Sequence, residues 1–146
     1  QTFLSGNALV VPDIPVWQMQ RQTGMSAPQA LLGKPLTVYG DGRQTRSYCY
    51  VSDLVEGIGK VLDSDLHDPV NLGNPNEMTV LELAKLVLEM TGSSSKIVRR
   101  PLPIDDPKVR CPDILRAKKE LGWVPMVSLK QGLGQTIDHF STQLKG

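Results

Sequence analysis

The sequence predicts an α/β fold, and three observations carry that prediction. Two stretches, one following Val51 and one opening at Thr79, combine a helical apolar period with their own start signals. Short β-prone runs, Leu36–Tyr39, Pro69–Asn74 and Lys96–Arg100, stand around them, bounded by Gly, Pro and Asn. The resulting order is strand, turn, strand, helix, strand, helix, strand, loop, helix, helix, and such alternation builds mixed layers.

The elements follow in order. Asn7–Val11 reads as a short strand, and Pro12, Pro15, Gly24 and Pro28 break the rest of the first 28 residues into loops. Pro35–Tyr39 is a strand that runs into the turn Asp41-Gly42, and a second β-prone run, Tyr48–Val51, leads to a helix. Ser52 is the expected N-cap and Asp53 suits the positive helix end, with Leu54, Ile58, Val61 and Leu62 on one face. Gly57 and Gly59 each lower helicity by about 1 kcal/mol, so close packing against a sheet is their expected use.

Pro69–Asn74 reads as a short buried strand ending in a turn. Thr79 and Glu82 form a capping box, Val80, Leu83, Ala84, Val87 and Leu88 the apolar face, and Gly92 the stop. Pro101, Pro103, Pro107 and Pro112 stiffen the next segment into an extended loop. Asp113 caps a short helix, Ile114 to Leu121, ended by Gly122. Ser128 to Gln131 repeats the capping-box pattern before a final helix with Leu129, Leu133, Ile137 and Phe140 inward.

The bulk numbers exclude several classes. A chain of 146 residues is long enough for one domain with a core, and 40% hydrophobic with 21% charged is ordinary for a globular protein. A net charge of +1 gives no broad attraction to nucleic acid or to a membrane surface. No apolar run approaches the ~20 residues of a membrane span. Cys49 and Cys111 make neither a disulfide framework nor a zinc site and read as buried thiols in a reducing compartment. His67 and His139 are isolated, which argues against an imidazole-built metal site.

The residues with the most chemistry surround the glycine turn. Two extended pieces meet there, and Arg46 carries a guanidinium whose planar fork suits phosphate. From the residues alone, an ordinary hairpin with a solvated basic tip is the favoured reading, since most turn arginines are only solvated. The wording Lys34-Pro-Leu-Thr-Val-Tyr-Gly-Asp-Gly-Arg-Gln-Thr-Arg-Ser-Tyr, then Tyr50-Val-Ser-Asp-Leu-Val-Glu-Gly, resembles the C-terminal region of extended short-chain dehydrogenase/reductases acting on nucleotide sugars. Within these NAD-dependent epimerases and dehydratases it is most similar to the UDP-glucuronate decarboxylase (UDP-xylose synthase) family. The resemblance is clear from Gln29 and covers roughly the last four-fifths of the chain, so residues 1–28 stand as a divergent segment and 29–146 as the nucleotide-sugar-binding region.

The resemblance implies a substrate site. An arginine in the position of Arg46 grips the nucleotide pyrophosphate, and Thr37, Val38 and Tyr39 fall where related enzymes lay base and ribose against a strand. For Val38 simple core packing is the competing reading. Arg110 resembles the arginine of the family segment Asp-Asp-Pro-x-x-Arg-x-Pro-Asp, here Asp105 to Asp113, which closes over the sugar nucleotide, and an arginine there is a candidate to assist decarboxylation by holding charge in place. The competing reading for Arg110 is a surface cation paired with Asp105 or Asp106. Gln44 either touches substrate or orders the turn. Asp53 and Asp113 are read as helix caps.

The family reaction uses bound NAD: the sugar is oxidised at C4, the β-keto acid loses CO2, and the 4-keto pentose is reduced to UDP-xylose. The sequence contains no Gly-x-x-Gly-x-x-Gly or Gly-x-Gly-x-x-Gly loop. Four residues after Tyr39, Tyr48 and Tyr50 stand Arg43, Ser52 and Leu54, so the family's Tyr-x-x-x-Lys pair is missing as well. The expectation is a C-terminal piece of such an enzyme, inactive alone, that binds a UDP-sugar and no NAD. The other readings are a non-catalytic nucleotide-sugar-binding module, a structural remnant, and, within the superfamily, a dTDP-glucose 4,6-dehydratase or an epimerase. A homo-oligomer or a full-length homologue is the expected protein partner. The cytoplasm is the expected compartment, with the Golgi lumen implied for anchored eukaryotic relatives.

Overall fold

The computed structural model describes residues 27–102, 104 and 108–144. The strand expected at Asn7–Val11 lies outside them, as do Asp105 and Asp106. The described elements are α1 (Ala27–Leu31), β1 (Leu36–Tyr39), β2 (Thr45–Ser47), α2 (Val51–Leu62), β3 (Glu77–Thr79), α3 (Val80–Thr91), β4 (Ile97–Arg100), β5 (Val109–Arg110), α4 (Leu115–Leu121) and α5 (Leu129–Leu144). The fold is α/β, and the chain divides into two compact units.

Among the described residues the first unit comprises 47–77 and 111–129. Its core is Val61, Val70, Leu72, Ala117 and Trp123, with Leu54, Ile58, Leu66, Ile114 and Leu121 packed against it. Trp123 is the largest fully buried side chain. It lies on Gly57 of α2, where an added Cβ would stand 2.9 Å from the indole Cε2 and 3.1 Å from Leu72 Cδ1. Gly57 thus serves close packing, as expected, but against an indole and a leucine. Gly59 has open space where a Cβ would be, and Leu62 is 69% exposed, so neither joins the core.

The start of α2 also differs from expectation. Its N-cap is Tyr50, with no side-chain capping bond, and Ser52 stands inside the helix. The segment Pro69–Asn74 buries Val70 and Leu72 on alternate positions around exposed Asn71, as a strand would, yet it enters no ladder among the described residues. The start of α4 differs from expectation as well: its N-cap is Ile114, with no side-chain capping bond, and Asp113 stands one residue earlier, where its Oδ1 accepts the Leu115 N–H at 2.9 Å. Gly122, at φ +59°, ends that helix and lets the Trp123 N–H reach Ala117 O at 3.2 Å.

The second unit comprises 27–46, 78–110 and 130–144 among the described residues. The glycine turn makes no hairpin. β1 pairs in parallel with β4, Leu36 opposite Ile97 through Tyr39 opposite Arg100. β2 pairs in parallel with β5, within a sheet of order β3-β2-β5. Gly40 and Gly42, at φ +64° and +77°, redirect the chain between the two sheets. A Cβ on Gly42 would lie 2.8 Å from Val38 Cγ1 and 2.9 Å from Leu81 Cβ, so the start of α3 seats directly on the turn. The Leu81 and Val80 N–H groups donate to Gly42 O and Gln44 O at 3.1 and 3.0 Å.

α3 follows its sequence closely. The Glu82 N–H donates to Thr79 Oγ1 at 3.1 Å, the Thr79 N–H donates back to Glu82 Oε2 at 2.8 Å, and Gly92 ends the helix at φ +62°. Val80, Leu83, Ala84 and Val87 are buried. In α5 Ile137 is buried, while Leu129, Leu133 and Phe140 are half-buried. The Thr79 hydroxyl and N–H hold the Glu82 carboxyl below its ordinary value of 4.5. A depressed carboxyl contributes stability above its unfolded value and loses it as pH falls through its folded value. Thr79→Ala removes the N-cap acceptor of α3, a loss of about 1 kcal/mol. It is also expected to flatten the acid limb of the melting temperature against pH below about 4.5. An unchanged limb in calorimetric scans would remove the capping box from the list of stabilising contacts.

Candidate nucleotide-sugar site

β2 places Arg46 inside the second unit, where it is 1% exposed. Its Nη1 donates to Thr45 O at 2.7 Å, which anchors one end of the guanidinium. Directly opposite in the parallel register stands Arg110 of β5, half-buried. The Thr45 N–H donates to Lys108 O at 2.9 Å and anchors the pairing. The two arginines singled out in the sequence, 64 positions apart, are thus neighbours across one ladder (110 − 46). Opposed like charges on adjacent strands are unfavourable unless an anion or acceptors face them. A guanidinium's planar fork matches the oxygens of a diphosphate or carboxylate.

The turn beside them is held from within. Gln44 is buried and its Nε2 donates to Tyr39 O at 2.9 Å, so the amide orders the turn, one of its two expected roles. The Arg43 N–H donates to Asp41 Oδ1 at 3.0 Å across the exposed tip, and the Arg43 side chain points to solvent. On β1 the pleat sends Leu36 and Val38 into the core, each at 0% exposure, and leaves Thr37 and Tyr39 half-buried on the other face. Val38 packs in the core, as its competing reading holds. Thr37 and Tyr39 are the two side chains of β1 that face away from the core.

The two thiols differ from each other. Cys49 is half-buried, and burial first, then the Asp53 charge, pushes its thiol up to about 11. It is therefore protonated and unreactive at neutral pH. Cys111 is exposed, contrary to the buried thiol expected, because β5 ends just before it. Its Sγ donates to Pro75 O at 3.3 Å. Among the described residues no group of His, Cys, Asp and Glu could hold a metal, and no helix is long and apolar enough to cross a membrane.

The sequence reading missed the adjacency of Arg46 and Arg110. One signal was present: Thr45-Arg46 and Val109-Arg110 are both a β-branched residue followed by Arg, as two short paired strands would have. It also gave Asp53 too small a part. This side chain is 4% exposed, and its Oδ2 accepts from the Met126 and Val127 N–H groups at 3.0 and 2.9 Å.

Comparison with known proteins gives concordant matches. The family model of GDP-mannose 4,6-dehydratase matches residues 19–136. UDP-glucuronic acid decarboxylase 1 of Danio rerio is 51% identical over 117 residues, 80% of this chain and 28% of that protein. UDP-glucuronic acid decarboxylase 5 of Arabidopsis thaliana is 46% identical over 116 residues, 80% of this chain and 34% of that protein. The chain thus spans between about a quarter and a third of the length of these relatives. Among solved structures, UDP-glucose 4-epimerase of Thermotoga maritima with UDP-glucose superposes at TM-score 0.78 with 33% identity, over 81% of this chain and 38% of that one. UDP-glucuronic acid 4-epimerase of Bacillus cereus, in complex with UDP-glucuronic acid and NAD, gives TM-score 0.78 with 25% identity, over 92% and 45%.

Proposed function

The chain belongs to the GDP-mannose 4,6-dehydratase family, with the α/β fold of extended short-chain dehydrogenase/reductases, and from that premise we propose that it forms the nucleotide-sugar-binding portion of a UDP-glucuronate decarboxylase. The observation that carries this reading is the pairing of buried Arg46 with Arg110 in one parallel register. Arg46 sits on a short strand behind a turn closed by Gln44, and one end of its guanidinium is anchored on Thr45 O before any ligand arrives. Such preorganisation suits a fixed diphosphate better than a mobile surface contact. Thr37 and Tyr39 offer a half-buried face for base and ribose, and Arg110 supplies the cation that would hold the sugar carboxylate. The substrate class follows from the relatives, two of which are named for UDP-glucuronic acid decarboxylation.

NAD accompanies the sugar nucleotide in the Bacillus cereus epimerase. The described residues of this chain do not fit that cofactor. Their glycines with positive φ stand after α1, in the turn between β1 and β2, and at the ends of α3 and α4. None opens a helix after a strand, where a dinucleotide's phosphates are cradled. On this reading the chain by itself binds the nucleotide sugar and does not turn it over.

Calorimetric titration with UDP, with uridine as the control, tests the reading. Saturable binding of UDP and none of uridine is expected, with affinity reduced at least about tenfold by Arg110→Ala through loss of one charge-assisted contact. Equal heats from UDP and uridine, or an Arg110→Ala variant that binds as the parent does, would overturn it. Xylose product from the 146-residue chain with added NAD and UDP-glucuronate would overturn the half-site reading.

A further inference from the structure

The first unit holds a groove that the nucleotide reading does not use. Its volume is about 410 Å³, and Pro75, Pro112, Ile114 and Val124 supply apolar walls. Small-ligand sites are of this kind, an apolar lining with a few polar groups set into it. Three polar side chains that line this one are Asn74, Asp113 and Lys118. Asn74 is 7% exposed, and its Oδ1 is taken by the Asn76 N–H at 3.0 Å. Its Nδ2 has no partner among the described residues. An amide donor so deeply placed calls for an acceptor from outside the protein. Asp113 and Lys118 are exposed. Asp113 gives Oδ1 to the Leu115 N–H and keeps Oδ2 for a ligand, and Lys118 makes no ion pair among the described residues.

Cys111 stands at the rim of this groove. Two of the lining residues flank it: Pro112, next in the chain, and Pro75, whose carbonyl oxygen accepts from its Sγ at 3.3 Å. The thiol is exposed. Its sulfur is thus held beside a cavity that offers one amide donor, one carboxylate and one ammonium.

We propose that Cys111 is a site of mixed-disulfide formation with a thiol tripeptide of the glutathione type, and that the groove seats the tripeptide. The match is one of charge and hydrogen bonding. Such a tripeptide brings carboxylates for Lys118, an ammonium for Asp113 Oδ2 and amide carbonyls for Asn74 Nδ2. Its own sulfur lies on the middle residue, between those groups. The step is thiol–disulfide exchange, which needs an accessible sulfur. Cys111 gives its proton to water, and its sulfur attacks one sulfur of the tripeptide disulfide. A new S–S bond forms as the old one breaks, and the second sulfur leaves as a thiolate that takes up a proton. Cys111 is oxidised and the departing tripeptide is reduced by the same electron pair. The adduct is a reversible cap, which excess reduced tripeptide removes. The inference rests on the first unit alone and is independent of the nucleotide reading.

The test incubates the 146-residue chain with oxidised glutathione and, separately, with hydroxyethyl disulfide, which has the disulfide and none of the charges. Intact mass and peptide mapping read the adduct. One tripeptide per chain is expected, on Cys111 and not on half-buried Cys49. Compared with the urea-unfolded chain, the folded chain should prefer oxidised glutathione to hydroxyethyl disulfide by about tenfold more, the effect of one charge-assisted contact. Lys118→Glu should remove that preference and leave the melting temperature unchanged. Lys119→Glu makes the same charge change at an exposed neighbour and should keep the preference. Asn74→Ala should weaken it too; where that variant melts lower through loss of the Asn76 bond, Lys118→Glu decides. No adduct, an adduct on Cys49 as fast as on Cys111, the same preference in the unfolded chain, or equal effects of Lys118→Glu and Lys119→Glu would overturn the proposal.

Discussion

Trp123→Ala is expected to unfold the first unit's core, with a loss of about 3–5 kcal/mol on denaturant titration. That is a large part of the ~5–15 kcal/mol that holds a domain together. The side chain is 1% exposed and fills the space between α2, Leu72 and Ala117. Its Nε1 donates to Asp53 O at 3.0 Å, 70 residues away. Two further variants separate packing from hydrogen bonding. Trp123→Phe keeps most of the ring and removes the donor, so about 1 kcal/mol of the loss should remain. Gly57→Ala in the parent chain drives a methyl to within 2.9 Å of a rigid indole, which overpacks the site. In the Trp123→Ala background the indole is gone, and the same substitution should be neutral or stabilising by up to ~1 kcal/mol from helix propensity. A double-mutant cycle with no sign change would place Gly57 outside the tryptophan's packing.

What the sequence made legible follows from distance along the chain. The capping box at Thr79 and Glu82 and the glycine ends at Gly92 and Gly122 are local, within one helical turn, and they stand as read. β1 and β4 were legible as strands from their β-prone runs, but their partners were not. Parallel pairing joins residues some 60 positions apart, and no turn signal announces it. The Asp41-Gly42 turn pointed to a hairpin because adjacent β-prone runs commonly make one. Here each arm found a more distant parallel partner, and strands of two and three residues at β5 and β2 are too short to show a period.

The site divides along the same line. Arg46 and Arg110 were legible as candidates through their motif wording, whereas their adjacency depends on the β2·β5 register. Gln44 shows that a polar residue in a motif can serve the backbone, because its amide closes the turn on Tyr39. Leu62 looked like core from its period and is exposed, because the apolar face of α2 is wider than the core that covers it. Family membership and the α/β class were legible from the sequence and stand on independent matches.

Asp53→Ala should be the most damaging change outside the tryptophan, with a loss of about 3 kcal/mol. A helix-dipole residue at the surface would contribute only ~0.3–1 kcal/mol. Asp53 instead reaches out of α2 to the chain beyond Trp123, where one carboxylate oxygen accepts both the Met126 and Val127 N–H groups. Hydrogen bonds to a charged acceptor contribute ~1.5–3 kcal/mol each, and the alanine leaves two donors without their acceptor. The same residue's main-chain oxygen accepts from the indole, so Asp53 and Trp123 clamp the 123–127 strap from both sides. Asp53→Asn keeps an oxygen at the same place and loses the charge, so it should retain part of the stability that alanine loses. The measurement is equilibrium unfolding of both variants beside the parent. If alanine costs no more than ~1 kcal/mol, the carboxylate acts only on the helix end and the strap is held by Trp123 alone. If alanine costs ~3 kcal/mol and asparagine distinctly less, the acid of the Val51-Ser52-Asp53-Leu54 motif is a structural clamp. That assignment would leave Arg46 and Arg110, rather than Asp53, as the charged residues of the proposed nucleotide-sugar site.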